Sequence, residues 1–172
     1  MKMRNSGFTL VELMITLAVG IIVLSIGVPA FTNMMAGNQA TGTANELIAA
    51  LRLTRSEAVK RGTEVTICAS NVANTTCSGD DWHNGWIIYV DDNDDGTFGA
   101  ADDTLIRVWQ SPEGGATFNA ATPNSIRYLA SGELSTSVND FAFRLSHCQG
   151  NQSKVISITL TGRPSVTNTA CF

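Results

Sequence analysis

Residues 7–31 read GFTLVELMITLAVGIIVLSIGVPAF and carry a single charged side chain. No Asp, Glu, Lys or Arg occurs from Leu13 to Asn45, and this run is long enough to cross a hydrocarbon core as one helix. It is too long for the apolar part of a cleaved secretory signal, which spans about 7 to 15 residues. Because Lys2 and Arg4 precede it, the amino end is expected in the cytoplasm and the rest of the chain outside. The segment predicts a membrane-anchored protein.

The exception within this segment is Glu12. An ionised carboxylate in hydrocarbon costs about 2.5 to 3.5 kcal/mol on insertion scales, so a buried Glu12 needs an oppositely charged partner. A plain signal anchor explains the length and the basic flank but leaves Glu12 without a role. The alternative is that Glu12 simply lies at the membrane interface.

The rest of the chain is compatible with one folded domain, since 44% of the 172 residues are hydrophobic and 15% are charged. The formal net charge is −4 overall, but beyond Gly62 five basic residues face twelve acidic ones. That surface should repel phosphate backbones unless its few arginines are clustered.

An amphipathic helix is predicted to continue after the apolar run and to stop at Gly62, after the basic pair Lys60 and Arg61. Its apolar side chains recur at helical spacing and should lie on a core: Ala44, Leu47, Ile48, Leu51 and Ala58. Two separate helices with a break between residues 37 and 42 are the alternative.

From Thr63 onward the periodicity changes to that of β-strands. Short runs rich in β-branched and aromatic residues alternate with Asn, Asp, Gly and Ser clusters. The predicted strands are 64–68, 85–90, 104–109, 141–145 and 154–160. An antiparallel sheet that curls over the amphipathic helix would let both elements bury their apolar faces, which predicts an α+β fold.

The stretch Gly7-Phe8-Thr9-Leu10-Val11-Glu12 resembles the class III signal of type IV pilins and pseudopilins. The resemblance implies that a prepilin peptidase cuts after Gly7 and methylates the new terminal amine of Phe8. It also implies that the Glu12 carboxylate pairs with the terminal amine of a neighbouring subunit during filament assembly. The physical logic agrees, since a charge that is costly in lipid favours docking against an opposite charge.

Further motifs narrow the resemblance to the GspH and FimT family of minor pilins and pseudopilins. The residues that carry it are Glu46-Leu47, Arg55-Ser-Glu-Ala-Val-Lys-Arg61, Val65-Thr-Ile-Cys68, Gly85-Trp-Ile-Ile88 and Thr161-Gly-Arg163. The implied architecture is the type IV pilin fold, a long helix packed on an antiparallel β-rich head. The implied division is a leader at 1–7, a transmembrane helix at 8–31, an amphipathic helix at 32–62 and a periplasmic head at 63–172.

The family resemblance implies a minor pilin, anchored by one span in the inner membrane and then incorporated in a pilus, that primes assembly at the filament tip. Implied partners are other minor and major pilins, the prepilin peptidase and the inner membrane. A type II secretion pseudopilin is one alternative, and a simple signal-anchored β-domain, without cleavage at Gly7, is another.

DNA capture in natural transformation is a further alternative, known in the FimT branch, where a GRxR motif contacts phosphates. Here the matching residues are Gly162-Arg163-Pro164-Ser165, so the second arginine is replaced by Ser165. The candidate DNA contacts are Arg163, Lys154 and Arg144.

The four cysteines fit an oxidising compartment and allow three pairings. The favoured pairing joins Cys68 to Cys77 across a short loop and Cys148 to Cys171 at the last strand. A structural zinc site is a weaker alternative, because no CxxC spacing occurs and the two histidines are far apart in sequence.

The acidic stretch 91–96, DDNDDG, matches the spacing of a calcium-binding loop. Its candidate ligands are Asp91, Asn93, Asp95 and Asp102, with Gly96 at the sharp turn. The flanks predict strands rather than helices, and an acidic hairpin turn without an ion is the alternative. No other cofactor is indicated.

Enzymatic chemistry has little support in the sequence, because no GxSxG, HExxH, Walker or Rossmann pattern occurs. Ser146, His147 and Cys148 are adjacent, but neighbours on a strand point to opposite faces. The sequence therefore predicts a protein that is not an enzyme.

Overall fold

A computed structural model describes residues 8–79, 82–119, 123–138 and 140–172 of the protein. The chain forms two compact units that meet in sequence between Met35 and Ala36. The second unit, Ala36–Phe172, is called the globular unit below.

Helix α1 runs without interruption over Leu10–Arg61, so the alternative of two helices with a break between 37 and 42 is wrong. It ends where the sequence predicts, because Gly62 adopts a φ of +67° and its N–H donates to the Ala58 carbonyl at 3.0 Å. A left-handed glycine after the last helical residue is the usual device that ends a helix.

Two four-stranded antiparallel sheets are present where the sequence predicts one. The first has the order β3-β2-β1-β5 and the second the order β4-β6-β7-β8. The strands are β1 Val65–Ala69, β2 Gly85–Val90, β3 Thr104–Gln110, β4 Thr117–Phe118, β5 Ser125–Tyr128, β6 Phe141–Arg144, β7 Ser153–Ile158 and β8 Pro164–Thr169. All five predicted strands are found, whereas β4, β5 and β8 were not predicted.

The main core of the globular unit joins one face of α1 to both sheets. Leu47 and Leu51 of α1 are fully buried with Ile67 and Ile88 of the first sheet and Phe143 of the second. The predicted apolar face of the helix is thus confirmed as a core face.

Trp82 connects the two sheets within this core. It lies in a short 3₁₀-helix, Trp82–Asn84, and is fully buried. Its indole ring packs edge-on against Phe141 with 4.8 Å between ring centroids, and its Nε1–H donates to the Pro123 carbonyl at 2.7 Å. The buried donor is therefore satisfied, as burial of an indole requires.

A second, smaller core covers the opposite face of the first sheet, where Phe98 of the acidic loop packs against Ile87, Tyr89 and Cys68. Because apolar groups lie on both sides, β1 and β2 are buried along their whole lengths. This explains why their sequences are continuously apolar or small rather than strictly alternating.

The two tyrosines of the chain, Tyr89 and Tyr128, should make the stability of the fold depend on pH in the alkaline range. Both side chains are fully buried, and burial raises the pKa of each phenol to about 12. The unfolded chain ionises its tyrosines near pH 10, so stability that is complete below pH 10 should be lost progressively as the pH rises toward 12. In an alkaline titration, tyrosinate absorbance should appear only over the pH range in which tryptophan fluorescence reports unfolding. Tyrosinate that appears with its ordinary pKa in a folded protein would contradict this expectation.

Candidate assembly site

The start of α1 holds the predicted processing and assembly residues. Gly7 lies outside the described residues, whereas Phe8 precedes the helix and is exposed. The backbone N–H of Glu12 donates to Thr9 Oγ1 at 3.2 Å, so Thr9 caps the helix. Thr9 and Glu12 have the spacing of a capping box, a local sequence pattern that the prediction of the helix start did not use.

The described part of the first unit, residues 8–35, exposes a continuous apolar surface. None of the most apolar window of α1 is buried in the structure, and this helix is long and apolar enough to span a membrane. The exposed large apolar side chains include Leu10, Leu13, Ile15, Leu17, Ile21, Ile22, Leu24, Ile26 and Phe31. A surface of this kind requires hydrocarbon or neighbouring helices around it.

The hydroxyl groups in this surface are already satisfied. Thr16, Ser25 and Thr32 donate to the carbonyls of Leu13, Ile22 and Pro29 at 2.8, 2.8 and 3.0 Å. Polar groups that bond within their own helix can enter an apolar environment at low cost. The charged side chain of Glu12 is therefore the principal polar feature of the described segment 8–35.

The carboxyl-terminal part of α1 is joined to both sheets by a junction of four residues, Arg55, Tyr128, Gly132 and Gly162. Arg55 Nε donates to the Gly132 carbonyl at 2.9 Å, and the Tyr128 hydroxyl donates to the Gly162 carbonyl at 3.5 Å. Tyr128 belongs to the first sheet, and Gly162 lies in the turn between β7 and β8 of the second. The junction thus brings Arg55 of the helix close to a Gly-Arg turn that is distant in sequence.

Gly162 allows the close approach at this junction. Its φ is +78°, and a Cβ at this position would overlap the Gly132 carbonyl oxygen and lie 2.8 Å from Tyr128 Cε1. The glycine of the Gly162-Arg163 pair therefore has a structural role that is independent of any ligand.

Of the three predicted DNA contacts, Lys154 and Arg144 lie on the paired strands β7 and β6, whereas Arg163 lies apart from both. Lys154 is buried and its Nζ donates to Asn168 Oδ1 at 2.8 Å, and the Arg144 guanidinium lies 5.6 Å from the Phe172 ring centroid. Arg163 is exposed in the turn after β7, opposite Thr159, whereas Lys154 lies five residues before Thr159, about 16 Å away at roughly 3.3 Å per residue. The candidate contacts thus lie at two separate places, and DNA binding by any of them stays a prediction.

A different basic surface lies on α1 beside the junction. Arg52, Arg55 and Lys60 line an open groove of about 560 Å³ together with Ser56 and Val59. Because Arg55 lies against Gly162, the exposed Arg163 begins at the margin of this groove. The sequence analysis missed this cluster because its members belong to a helix and a turn about a hundred residues apart.

The acidic loop after β2 is organised by bonds within the protein. Asp91 accepts hydrogen bonds from the backbone N–H groups of Asp95 and Gly96 and from Arg127 Nη2, the last at 3.2 Å. Arg127 also pairs with Asp94 and Glu64. An arginine therefore supplies positive charge to the predicted calcium loop.

Two of the remaining predicted calcium ligands, Asn93 and Asp95, are hydrogen-bonded to each other. Asp95 accepts hydrogen bonds from Thr97 and Asn93, and the Thr97 backbone bond above all lowers the pKa of the Asp95 carboxyl. Asp102 is joined to Gly99 by its backbone N–H. Within residues 8–79, 82–119, 123–138 and 140–172, no group of three or more His, Cys, Asp or Glu side chains is placed to hold a metal ion. The calcium interpretation gains no support from this geometry.

The cysteines form two disulfides, Cys68–Cys77 and Cys148–Cys171, which is the pairing that the sequence favours. The second ties the chain end after β8 to the loop before β7. Because Cys148 is in a disulfide, it offers no thiol nucleophile beside His147, whose Nδ1 lies 3.0 Å from Ser146 Oγ.

These features define a pilin-like protein: an exposed apolar helix with one early carboxylate, continued by an amphipathic half packed on antiparallel sheets. Residues 43–162 match the family model described as type II transport protein GspH, and residues 2–28 match the prokaryotic N-terminal methylation motif. The chain belongs to the GspH family, since that model covers well over half of it. The motif at the amino terminus identifies a membrane-anchored pilin, and proteins of this class are structural components rather than enzymes.

Two crystal structures of the type IV minor pilin FimU of Pseudomonas aeruginosa strain PAO1 have a similar fold. One is 24% identical with a TM-score of 0.55, and the match covers 77% of this chain and 99% of that chain. The other is 23% identical with a TM-score of 0.52, covering 78% and 96%. No curated protein sequence matches the chain significantly. The similar structures support the long helix and the antiparallel sheets described above.

Proposed function

We propose that this protein is a minor pilin of a type IV pilus that primes assembly at the filament tip. The observation that carries the proposal is the exposed apolar half of α1 with Glu12 in its first turn, on a chain of the GspH family. The apolar half would lie in the inner membrane before assembly and against neighbouring helices afterwards. The globular unit would face the periplasm, which agrees with its two disulfides.

Glu12 would supply the specificity of assembly. Cleavage after Gly7 would create a terminal amine at Phe8, four residues before Glu12. In a low-dielectric environment the unpaired carboxylate is unfavourable, and pairing with the amine of an adjacent subunit removes that cost. The partners are therefore the prepilin peptidase, other minor and major pilins, and the inner membrane, without enzymatic activity of the protein's own.

The likeness to a minor pilin supports a pilus, whereas the printed name of the family supports a type II secretion pseudopilin as the alternative. The deciding experiment is mass spectrometry of the protein from membranes and from sheared pili of its own cells. We expect a chain that begins at N-methylated Phe8 in both fractions, and fewer pili in a deletion strain. An uncleaved chain would contradict the pilin proposal. A processed chain, with normal pili but defective secretion in the deletion strain, would identify the secretion alternative.

DNA capture is a second candidate, favoured by the basic groove of Arg52, Arg55 and Lys60 with Arg163 at its margin. Clustered cations can bind phosphates although the globular unit has nine Lys and Arg against fourteen Asp and Glu. If this surface binds DNA, the contact is electrostatic and salt-dependent.

Fluorescence anisotropy of duplex DNA with the full chain in detergent, over a salt series, tests this candidate. Replacing Arg52, Lys60 or Arg163 by alanine should each reduce the slope of log affinity against log salt by about one. Arg144→Ala is the control and should leave the slope unchanged, because Arg144 contacts Phe172 away from the groove. Absence of binding at about 50 mM salt, where phosphate contacts are strong, would exclude this second function.

A further inference from the structure

Strand β3 is an edge of the first sheet with an open hydrogen-bonding side. It is the longest strand of the structure and pairs only with β2, from Gly85↔Gln110 to Val90↔Thr104. No backbone hydrogen bond from another described residue reaches its outer side. The strand contains no proline and no lysine, and its protective features are limited to the exposed Arg107 and a register shift beside Ile106, which leave residues 108–110 free to pair with another chain.

A groove of about 350 Å³ lies at the carboxyl end of this edge, between β3 and α1. Its floor is formed by the half-buried Trp109 and by Thr43 and Gly42 of the helix. Gly42 leaves the groove wide, because a Cβ at this position would meet no atom within 4 Å. The groove is large enough to receive one long side chain.

The charges around the groove select the kind of side chain. The charged residues of its lining are Glu46 and Glu113, both exposed, and no basic residue lines it. One face of Trp109 is already covered by a cation, since the Arg107 guanidinium lies 4.4 Å from its ring centroid. The selection of a guanidinium or ammonium group therefore rests on the two carboxylates of the lining.

A second copy of this globular unit is a poor occupant because of its own excess of acidic residues. A partner with a basic, extended segment has the complementary charge and can supply the missing backbone bonds. We propose that β3 and this groove form a docking site for an extended segment of a partner protein, which adds as a strand to β3 and places a Lys or Arg side chain between Glu46 and Glu113. The inference does not depend on the pilin assignment, since it uses the globular unit alone.

The probe is a labelled peptide as long as β3, with alternating threonine and valine and an arginine as its second residue, which lies opposite Trp109 when the peptide adds as an antiparallel strand. Its binding to the full chain in detergent is measured by fluorescence anisotropy at low salt. It should bind at least about tenfold more tightly than the same peptide with glutamate as its second residue, because the ion pairs are replaced by repulsion. Equal affinities, or no binding of the arginine peptide, would overturn the proposal.

Strand addition is tested with two N-methylated forms of the arginine peptide. An added antiparallel strand directs only alternate N–H groups toward β3. Methylation of one alternate set should therefore abolish binding, while methylation of the other set should leave it nearly unchanged. If both forms bind equally well, or if neither binds, the peptide does not add as a strand and the proposal is wrong.

Variants of the protein locate the site. Combined Glu46→Gln and Glu113→Gln should weaken binding about tenfold, and Gly42→Phe should abolish it by filling the groove. Glu133→Gln is the control for each single Glu→Gln change, since it removes one carboxylate charge at an exposed loop outside the lining and should have no effect. Thermal unfolding followed by tryptophan fluorescence verifies that each variant is folded. Unchanged binding by the folded groove variants would contradict the proposed position.

Discussion

Replacement of Gly162 by alanine is expected to lower the free energy of unfolding of the globular unit by about 3 kcal/mol or more, from left-handed backbone strain and steric overlap together. The new Cβ would overlap the Gly132 carbonyl oxygen and press on Tyr128, while the backbone remains at a φ of +78°. Neither contact can relax freely, because Gly132 is held by Arg55 and Tyr128 is fully buried. The melting temperature should fall by roughly 10 °C for a unit of this size.

Gly150→Ala is the matched control for this prediction. Gly150 has a φ of +60°, but a Cβ added there would meet nothing within 4 Å. It should therefore show the backbone cost alone, about 1 kcal/mol. Tryptophan fluorescence of the full chain in detergent is a suitable measurement, since Trp82, Trp86 and Trp109 all lie in the globular unit. Similar losses for both variants would show that close packing at the junction contributes little.

Because Gly162 is needed for packing at the junction, a Gly162 variant cannot show whether the Gly162-Arg163 pair binds a ligand. A loss of DNA binding or assembly in a Gly162 variant would follow from damage to the junction even if Gly162 never contacts a ligand. Arg163→Ala avoids this ambiguity, because Arg163 is exposed and its backbone N–H, which bonds to Thr159 Oγ1, is retained. Arginine variants, rather than glycine variants, are therefore the proper test of a ligand at this turn.

Glu12→Ala is expected to remove the protein from pili almost completely while leaving its level in the membrane unchanged. Loss of one partner of a buried ion pair costs about 3 kcal/mol or more, which corresponds to roughly a hundredfold loss of incorporation. Glu12→Gln should have nearly the same effect, because the amide retains the shape of the side chain but not its charge. The measurement is quantitative immunoblotting of sheared pili against membranes.

The capping interaction at the start of α1 provides the control. Thr9→Val removes the hydroxyl that accepts the Glu12 N–H but keeps the carboxylate. If Glu12 acts through its charge, Thr9→Val should retain most of the incorporation. An equal defect in Thr9→Val and Glu12→Ala would indicate that helix capping, rather than pairing between subunits, is the function of this motif. Mass spectrometry must confirm that the terminus of each variant is processed alike.

The strands that the sequence predicts and those that it misses differ in composition. Gly85–Val90 is found with the predicted limits because its apolar and aromatic residues are buried on both faces. Pro164–Thr169 begins with proline and has only one large apolar side chain, Val166, so it shows no apolar alternation although half of its residues are β-branched. It forms β8 because β7 offers a complementary edge and the Cys148–Cys171 disulfide holds the chain end nearby.

The candidate sites also fall into those that the sequence predicts and those that it misses. Glu12 and the apolar run are contiguous in sequence, so local patterns are sufficient to predict a membrane helix with one functional carboxylate. The basic groove, the Arg55–Gly162 junction and the groove beside β3 combine residues that are far apart in the chain. Counting charged residues in the sequence could not reveal these sites, because the distances between their residues depend on how the sheets pack on the helix.

Local patterns in the sequence were sufficient to predict a membrane helix, the helix end at Gly62, five strands and membership of a pilin-like class, because apolar periodicity, a left-handed glycine and a contiguous motif act over short distances. Three features follow from long-range packing instead: the division into two sheets, the balancing of the acidic loop by Arg127 and the contact of Gly162 with Arg55. These features arise from strand pairing and core packing between distant segments. The free energy of such contacts depends on which surfaces meet, and no local pattern in the sequence encodes that choice.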